Sequence, residues 1–324
     1  MGIVGAAIQT LLLTVLLAGL LGRRCSQIGY KPLQVRWHTP SAVVMLTLGS
    51  SSLVSTFTQN SSDTFIRTEL IKQAGAIQNG FYQAALVFSN HLKNIVLGSV
   101  HSYSVATLAQ QHDPQKMSAS VNELLTVIIP VAALSLGFLG IVSYPILSLL
   151  YAPSFVAATN YMPFLLGGDF LQAIGGIFGA PLLALGHAGK WLALELTYCG
   201  VRLLLSLVLL PIFGGPAIAA AYMIATFLFF MANVYIYLRL YKLKLSGNYS
   251  YELVTGLSVV VMLSWMGTGH FQDPFLMYLM AFLTWLGYAT YKINRELGWS
   301  RVKQYAQRGR VEMIKKLRRS GTEG

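Results

Sequence analysis

Residues 189–216 read GKWLALELTYCGVRLLLSLVLLPIFGGP, an apolar run bounded by glycines that carries Glu195 and Arg202 inside it. A membrane-spanning helix needs about 20 mostly apolar residues, and this run is long enough. The segments Gly186-His187-Ala188-Gly189 and Gly214-Gly215-Pro216 predict tight turns that separate it from similar runs on either side. The stretch therefore predicts one helix of a polytopic membrane protein, with two charged side chains placed within the hydrocarbon.

The composition of the whole chain supports this class. Hydrophobic residues make up 55% of the 324 residues and charged residues 10%, and the mean hydropathy is +0.58. These values are far from those of a soluble domain. The net charge of +12 does not indicate nucleic-acid binding, because the basic residues lie beside apolar runs, where anionic lipid headgroups account for them. Cys25 and Cys199 fall in a predicted loop and a predicted span, so no disulfide framework is expected.

The spacing of apolar runs predicts an all-α protein with about nine transmembrane helices. Nineteen of the 23 Lys and Arg residues fall in every second gap between the runs. Basic loops stay in the cytoplasm, so the N-terminus is expected outside and the C-terminus inside. The predicted spans are 3–21, 41–66, 78–108, 121–150, 159–185, 189–212, 215–240, 251–268 and 274–291.

Four charged residues lie well inside predicted spans, namely Lys93, Asp169, Glu195 and Arg202. A charge at the centre of a membrane helix costs about 2.5–3.5 kcal/mol on insertion scales, so each needs a partner or water. Glu195 and Arg202 are seven residues apart, too far for a single-turn pair, and Asp169 and Glu195 are possible partners of the two cations. Either the four form a neutral buried cluster, or they line a charged, solvated lumen.

Other residues near the spans are expected to pack or to face water. Gly168, Gly175 and Gly179 form a stripe of small residues on which another helix can pack closely. Near Asp63 the chain leaves the second span, so contact with water suffices for this residue. Lys72 lies near Glu69 in an outward gap, and this pairing needs no function.

Several stretches of the chain, in their order and spacing, are similar to a family of membrane transporters. From Ile3 to about Lys242 the chain resembles the C-terminal half of Wzx-type O-antigen and enterobacterial-common-antigen flippases, members of the multidrug/oligosaccharidyl-lipid/polysaccharide exporter superfamily. The basic loop at 22–36 and the order of spans agree with this family. The stretches that carry the resemblance are Gly80–Ala85 leading to Ser89, Leu166–Gln172, Gly189–Leu196 and Gly215–Thr226.

The resemblance implies a fold and a substrate. Such proteins have two six-helix lobes in a V, and they move a lipid-linked oligosaccharide of the undecaprenyl-pyrophosphate type across a bacterial inner membrane. This chain would then hold a leftover helix and basic cytoplasmic loop, one lobe, two additional helices and a basic cytoplasmic tail. It would be a fragment, or a partner would supply the N-terminal lobe, and polysaccharide assembly proteins are possible partners. The corresponding ranges are 1–40, 41–245, 246–291 and 292–324.

The resemblance also suggests substrate-binding residues. Arg67, Asp169 and Glu195 match polar positions of the family, whereas Lys93 and Arg202 match none and are included because they are buried charges. A cationic lumen would suit the anionic pyrophosphate. Catalytic residues, metal ligands and cofactors are not expected, since the six His residues show no metal-ligand spacing.

Three alternatives remain open from the sequence. The first is an exporter of cationic drugs from the same superfamily, which two buried acids would serve. The second is a membrane-embedded glycolipid polymerase or ligase, although that chemistry favours a sizeable loop near a membrane face. The third is a non-transporting subunit of an assembly complex.

Overall fold

The computed structural model describes residues 39–109, 111, 113–241, 243, 249–266, 268 and 282–291, without the side chains of 40, 41, 91–107, 109, 240 and 250. The chain divides into two compact units, Met1–Ser50 and Ser51–Gly324. The first contributes the helical residues 39–50, and the second contains all of the features that follow. The first predicted span, 3–21, lies outside the described residues.

The described chain is helical and contains no strand. A 3-10 helix covers Pro153–Tyr161, a π-helical turn covers Ile236–Leu240, and residues 282–291 are also helical. The α-helices are α1 (Thr39–Ala109), α2 (Pro114–Leu150), α3 (Met162–Ala184), α4 (Ala188–Phe213), α5 (Ala217–Tyr235) and α6 (Tyr249–Met266).

Four helical segments of the described chain are long and apolar enough to cross a membrane. They correspond to the fourth to seventh predicted spans, and a shorter apolar helix, Tyr251–Met266, corresponds to the eighth. An α-helical, membrane-embedded protein is therefore confirmed, whereas the full number of nine spans is not. The four segments are Pro114–Leu150, Pro153–Ala184, Ala188–Phe213 and Ala217–Arg239.

Helix α2 begins seven residues earlier than the predicted span at 121. The Asp113 side chain accepts a hydrogen bond of 2.9 Å from the Gln115 backbone N–H, and Pro114 occupies the first turn. An N-cap acid followed by proline is a strong start signal, because both suit the free N–H groups of the first turn. Lys116 therefore lies in the first turn of α2 and not in a loop, which corrects the predicted boundary.

Helix α1 is broken at Gly75 and not across the predicted gap at 67–77. Gly75 has φ of +89° and ψ of 163°, a conformation that side-chain-bearing residues rarely adopt. The residues on both sides of Gly75 are helical, so the predicted gap between the second and third spans contains a single non-helical residue. Ile66 and Leu70, just before the break, are buried and keep this part of the chain packed on the bundle.

The two halves of α1 run in opposite directions past the other helices. The first half runs parallel to α4 and the second half parallel to α3, while α3 and α4 run antiparallel to each other. The break at Gly75 thus reverses the direction of the chain, as two separate spans would require. The contacts that give these directions, in order along the chain, are Gln59–Glu195 and Asp63–Arg202, then Gln78–Tyr161 and Ser89–Asp169.

The predicted glycine stripe on α3 is confirmed, and the helix that it receives is α5. A Cβ atom added at Gly168 would lie 2.4 Å from the Tyr222 ring, and one at Gly179 would lie 2.6 Å from Asn233 Oδ1. Between them, a Cβ atom at Gly175 would lie 3.4 Å from the Cα of Phe230. The close approach aligns α3 and α5 in parallel and places Tyr222 beside Asp169.

Three of the predicted basic gaps, those that contain Lys116, Lys190 and Arg239, lie at one end of the described part of the second unit. His187, in the turn between α3 and α4, is hydrogen-bonded through Nδ1 to the Tyr241 hydroxyl beyond α5. The Lys190 ammonium lies 5.9 Å from the centre of the same tyrosine ring. The first turns of α2 reach this end as well, where Ser118 Oγ lies 3.5 Å from the Tyr237 hydroxyl. Which membrane face this end occupies stays a prediction.

Helix α6 packs directly on α2 and α3 through further glycines. A Cβ atom at Gly140 would lie 2.7 Å from Ser264 Cα and 2.8 Å from its backbone nitrogen. A Cβ atom at Gly256 would lie 2.9 Å from the Phe170 ring. Helix α6, which was predicted as an addition to a six-helix lobe, thus packs closely against α2 and α3.

Substitution Gly140→Ala is expected to destabilise the protein by about 1–3 kcal/mol, the usual cost of an extra methyl group in a close-packed interior. The added carbon meets the α6 backbone, which cannot turn aside as a side chain can. Thermal unfolding of the detergent-solubilised full chain measures the effect. Gly200→Ala is the matched control, because a Cβ atom there has no neighbour within 4 Å. Equal melting of the two variants would contradict the close packing of α2 on α6.

Candidate functional site

The guanidinium of Arg202 lies between helices α1, α4 and α5, and its side chain is only 9% exposed. Its Nη1 lies 2.7 Å from Asp63 Oδ1, and its Nη2 donates a hydrogen bond of 3.2 Å to the Tyr82 hydroxyl. Its Cζ lies 5.2 Å from the centre of the Tyr222 ring, within range of a cation–π interaction. One carboxylate, one hydroxyl and one ring face therefore hold this buried cation.

The first half of α1 supplies Asp63 through a polar face with a repeat of four residues. Gln59 lies one turn before Asp63. It donates a hydrogen bond of 2.9 Å to Glu195 Oε2 and one of 3.3 Å to Ser55 Oγ. Residues four apart lie one above the other on a helix, so this face meets the Glu195 and Arg202 face of α4 at two successive heights. We call this contact, formed by Gln59, Asp63, Glu195 and Arg202, the polar seam.

Asp169 belongs to a second network, between α1, α3 and α5. Its Oδ2 accepts a hydrogen bond from the Ser89 hydroxyl, and its Oδ1 accepts one of 2.6 Å from the Tyr222 hydroxyl. The same hydroxyl lies 3.1 Å from Gln172 Oε1. Asp169 is 1% exposed, so these donors are needed to offset the loss of water around its carboxyl group.

Tyr222 joins the two networks, because its ring faces Arg202 and its hydroxyl binds Asp169. Asp169 and Glu195 were possible partners of Lys93 and Arg202, and for Arg202 the structure shows a different ion pair. The ion pair forms with Asp63, since α1 passes α4 at the height of Arg202. Glu195 is bound instead by the neutral amide of Gln59.

The remaining predicted site residues lie on α1. Arg67 is partly buried one turn beyond Asp63, and its Nε has no hydrogen-bond partner. Lys93 lies in the second half of α1, but its side chain is outside the described residues. Lys72 pairs with Glu69 at 2.8 Å, as predicted, and this hydrogen bond lowers the pKa of Glu69.

Residues of the two networks that were not predicted as site residues include Gln59, Asp63, Tyr82, Ser89, Gln172 and Tyr222. For Gln59 and Asp63 the signal was present, since Ser55, Gln59, Asp63 and Arg67 follow each other at intervals of four. For the tyrosines no local signal exists, because an isolated tyrosine in an apolar helix is equally typical of packing.

Several buried polar atoms around the polar seam lack a hydrogen-bond partner. Asp63 Oδ1 is among them, because its contact with Arg202 has the distance of an ion pair without the angles of a hydrogen bond. Buried polar groups in proteins are nearly always satisfied, so such a group indicates water or a ligand. On α1 and α4 the atoms are Asp63 Oδ1, Arg67 Nε, Asn79 Oδ1, Gln83 Nε2, Arg202 Nε and Ser206 Oγ.

The described residues hold no group of three or more His, Cys, Asp or Glu side chains that could bind a metal ion. What they define is an α-helical membrane protein with a buried cation and unsatisfied N–H donors between its helices. Comparison of the chain with protein-family models, curated proteins and solved structures finds no match. The likeness to flippases therefore depends on the quoted sequence stretches alone.

Proposed function

We propose that the chain takes part in flipping a polyprenyl-pyrophosphate-linked oligosaccharide across a bacterial inner membrane, for the assembly of O-antigen or a related polysaccharide. The observation that carries the proposal is Arg202, a permanently charged side chain buried among apolar helices with an N–H that no described group satisfies. Buried charges in membrane helices are rare, and they usually mark the path of an ion or a substrate.

The donors at the polar seam favour an anion. A guanidinium carries five N–H donors and no acceptor, and its planar fork matches the oxygens of a phosphate. Arg202 uses Nη1 and Nη2 within the protein but leaves Nε unsatisfied. Arg67 Nε is unsatisfied as well, one helical turn from Asp63. A pyrophosphate group would supply an acceptor for Arg202 Nε.

The acidic residues of the site favour an anionic substrate over a cationic drug. Asp169 already accepts hydrogen bonds from two hydroxyl groups, and Glu195 accepts one from Gln59. Asp63 Oδ1 is a buried carboxylate oxygen of the seam without a hydrogen bond among the described residues, and it lies beside Arg202. A cationic ligand would have to approach two arginines to reach it.

The position of the site supports transport. The polar seam lies between the first half of α1 and the parallel helix α4, whose outer face is apolar, with Leu204, Val208 and Ile212 exposed. A glycolipid could keep its tail among lipid acyl chains beside such a face while its phosphates reach inward. Relative movement of helix groups around a midplane site is the general way in which such carriers expose a substrate alternately to the two sides.

A flipping assay in inverted inner-membrane vesicles from bacteria that produce the full chain tests the proposal. A short-chain polyprenyl-pyrophosphate oligosaccharide is added outside, and its protection from an impermeant glycosidase is followed. Arg202→Gln is expected to slow protection about tenfold or more, because a hydrogen bond to a charged group contributes about 1.5–3 kcal/mol.

Lys72→Gln is the matched control, since it removes an exposed cation outside the seam. Its flipping rate should stay within about twofold of the native rate, as expected for an exposed ion pair. Equal rates for native protein, Arg202→Gln and vesicles without the chain would refute the proposal. Export of a lipophilic cation by the same vesicles, without flipping, would instead indicate the drug exporter.

A further inference from the structure

Asp63 occupies a position between two arginines. Its Oδ1 lies 2.7 Å from Arg202 Nη1 on α4, and Arg67 lies four residues further along its own helix. Asp and Arg at this spacing on a helix can form an ion pair. Arg67 Nε has no hydrogen-bond partner, so it remains available for such a pair. One carboxylate can therefore serve either of two cations.

The two sides of the Asp63–Arg202 pair are held unequally. Arg202 is fixed by the Tyr82 hydroxyl and the Tyr222 ring, and its side chain is 9% exposed. The Asp63 side chain is 27% exposed, and its Oδ1 has no hydrogen-bond partner. When the pair separates, the carboxylate is the part that can move while the guanidinium keeps its place.

We propose that Asp63 is an intramolecular competitor that sets the affinity of Arg202 for anions. Asp63 pairs with Arg202 in the absence of substrate, and it turns to Arg67 when a phosphate group of the substrate binds Arg202. This inference depends on the proposed function, because it assigns a role to Asp63 in the same site. Asp63 acts through Arg202, so it is a positioning residue and does not itself bind the substrate.

The exchange would also give the site its specificity. A ligand displaces Asp63 from the Arg202 guanidinium only if it carries more charge than a carboxylate and matches the geometry of the guanidinium better. A phosphate or pyrophosphate, which carries more charge and binds arginine through two oxygens, meets this condition. A lipid with a single carboxylate does not. Asp63 keeps an arginine partner in both arrangements, so substrate binding leaves no carboxylate unpaired.

Binding of farnesyl pyrophosphate to the full chain in detergent tests the exchange. Asp63→Asn is expected to bind about tenfold more tightly than native protein, because removing a competitor raises the fraction of free sites. Damage to the structure would weaken binding, so the direction of the change separates competition from a structural role. Asp63→Glu, which restores a carboxylate, should return the affinity toward the native value.

Glu69→Gln is the matched control, since it removes another acid of the same helix, one that forms its ion pair with the exposed Lys72 outside the seam. Its affinity should equal that of native protein. Introduced into the native sequence, Arg67→Gln should weaken binding of farnesyl pyrophosphate, because displaced Asp63 then lacks a second partner. In the Asp63→Asn background the same substitution should have less effect. Equal weakening in both backgrounds would mean that Arg67 binds the ligand directly, and the exchange would be wrong.

The outcomes separate the inference from the proposed function. If native protein binds farnesyl pyrophosphate and Asp63→Asn binds it equally or more weakly, Asp63 is no competitor, while the flippase proposal stands. If native protein does not bind it, or if Arg202→Gln binds it as well as native protein does, both proposals fall. Should Asp63→Asn not fold, Asp63→Ser takes its place in both measurements, and equal weakening by Arg67→Gln in the native and Asp63→Ser backgrounds overturns the exchange.

Discussion

Replacement of Arg202 by leucine is expected to lower the free energy of unfolding by about 3 kcal/mol, toward the lower end of the range for breaking a buried ion pair. The loss would come mainly from Asp63, which keeps its charge without a partner. The effect falls at the lower end because the Asp63 side chain is 27% exposed and can draw on water. The Tyr82 hydroxyl would lose its contact with Arg202 as well.

The double variant Arg202→Leu with Asp63→Leu is expected to recover most of this stability. A buried ion pair can often be replaced by apolar side chains without loss, because the cost of desolvating two charges is removed together with their attraction. Unfolding of the purified chain by SDS titration in mixed micelles measures both variants. Lys72→Leu, in an exposed pair, should change stability by no more than about 1 kcal/mol. Additive effects of the two leucine substitutions would show that Asp63 and Arg202 do not interact.

Substitution Gly168→Ala is expected to destabilise the protein by about 3 kcal/mol, from overpacking and a weakened buried hydrogen bond together. The new Cβ would lie 2.4 Å from Cε1 and 2.7 Å from Cδ1 of Tyr222. The ring cannot turn aside freely, because its hydroxyl donates to Asp169 at 2.6 Å. Relief of the clash therefore removes a donor from a carboxyl group that is 1% exposed.

Thermal unfolding in detergent measures this loss, and flipping should fall with it, since Tyr222 also faces Arg202. Gly189→Ala is the control, because a Cβ atom there has no neighbour within 4 Å. A melting temperature for Gly168→Ala equal to that of the control would show that α3 and α5 can separate without cost. The tyrosine would then not be the link between the two networks.

The features that could be predicted are those that depend on neighbours in the chain. The tight turns before Ala188 and before Ala217 follow from glycine and proline. The stripe of Gly168, Gly175 and Gly179 predicted close packing, and α5 fills it. The pair of Lys72 and Glu69 could be predicted because the two residues lie within one turn of the same helix. In each case the spacing of residues on one segment contained the information.

The partner of Arg202 could not be predicted in the same way. Asp63 lies toward the end of its predicted span, where water alone accounted for its charge. Its pairing depends on the rotation of α1 about its axis and on the height at which α1 passes α4. Neither quantity is contained in the periodicity of either helix. The four-residue repeat from Ser55 to Arg67 indicated a polar face, but not which helix that face meets.

Sequence alone was enough to identify an α-helical membrane protein and to place Asp169 and Arg202 inside its helices, because hydrophobic length and the cost of a charge in hydrocarbon are properties of single segments. The tertiary structure decided which charges meet. It paired Arg202 with Asp63, gave Glu195 the amide of Gln59, and linked Asp169 to Arg202 through Tyr222. Contacts between helices depend on how several packed surfaces fit together at once, so only the assembled bundle determines them.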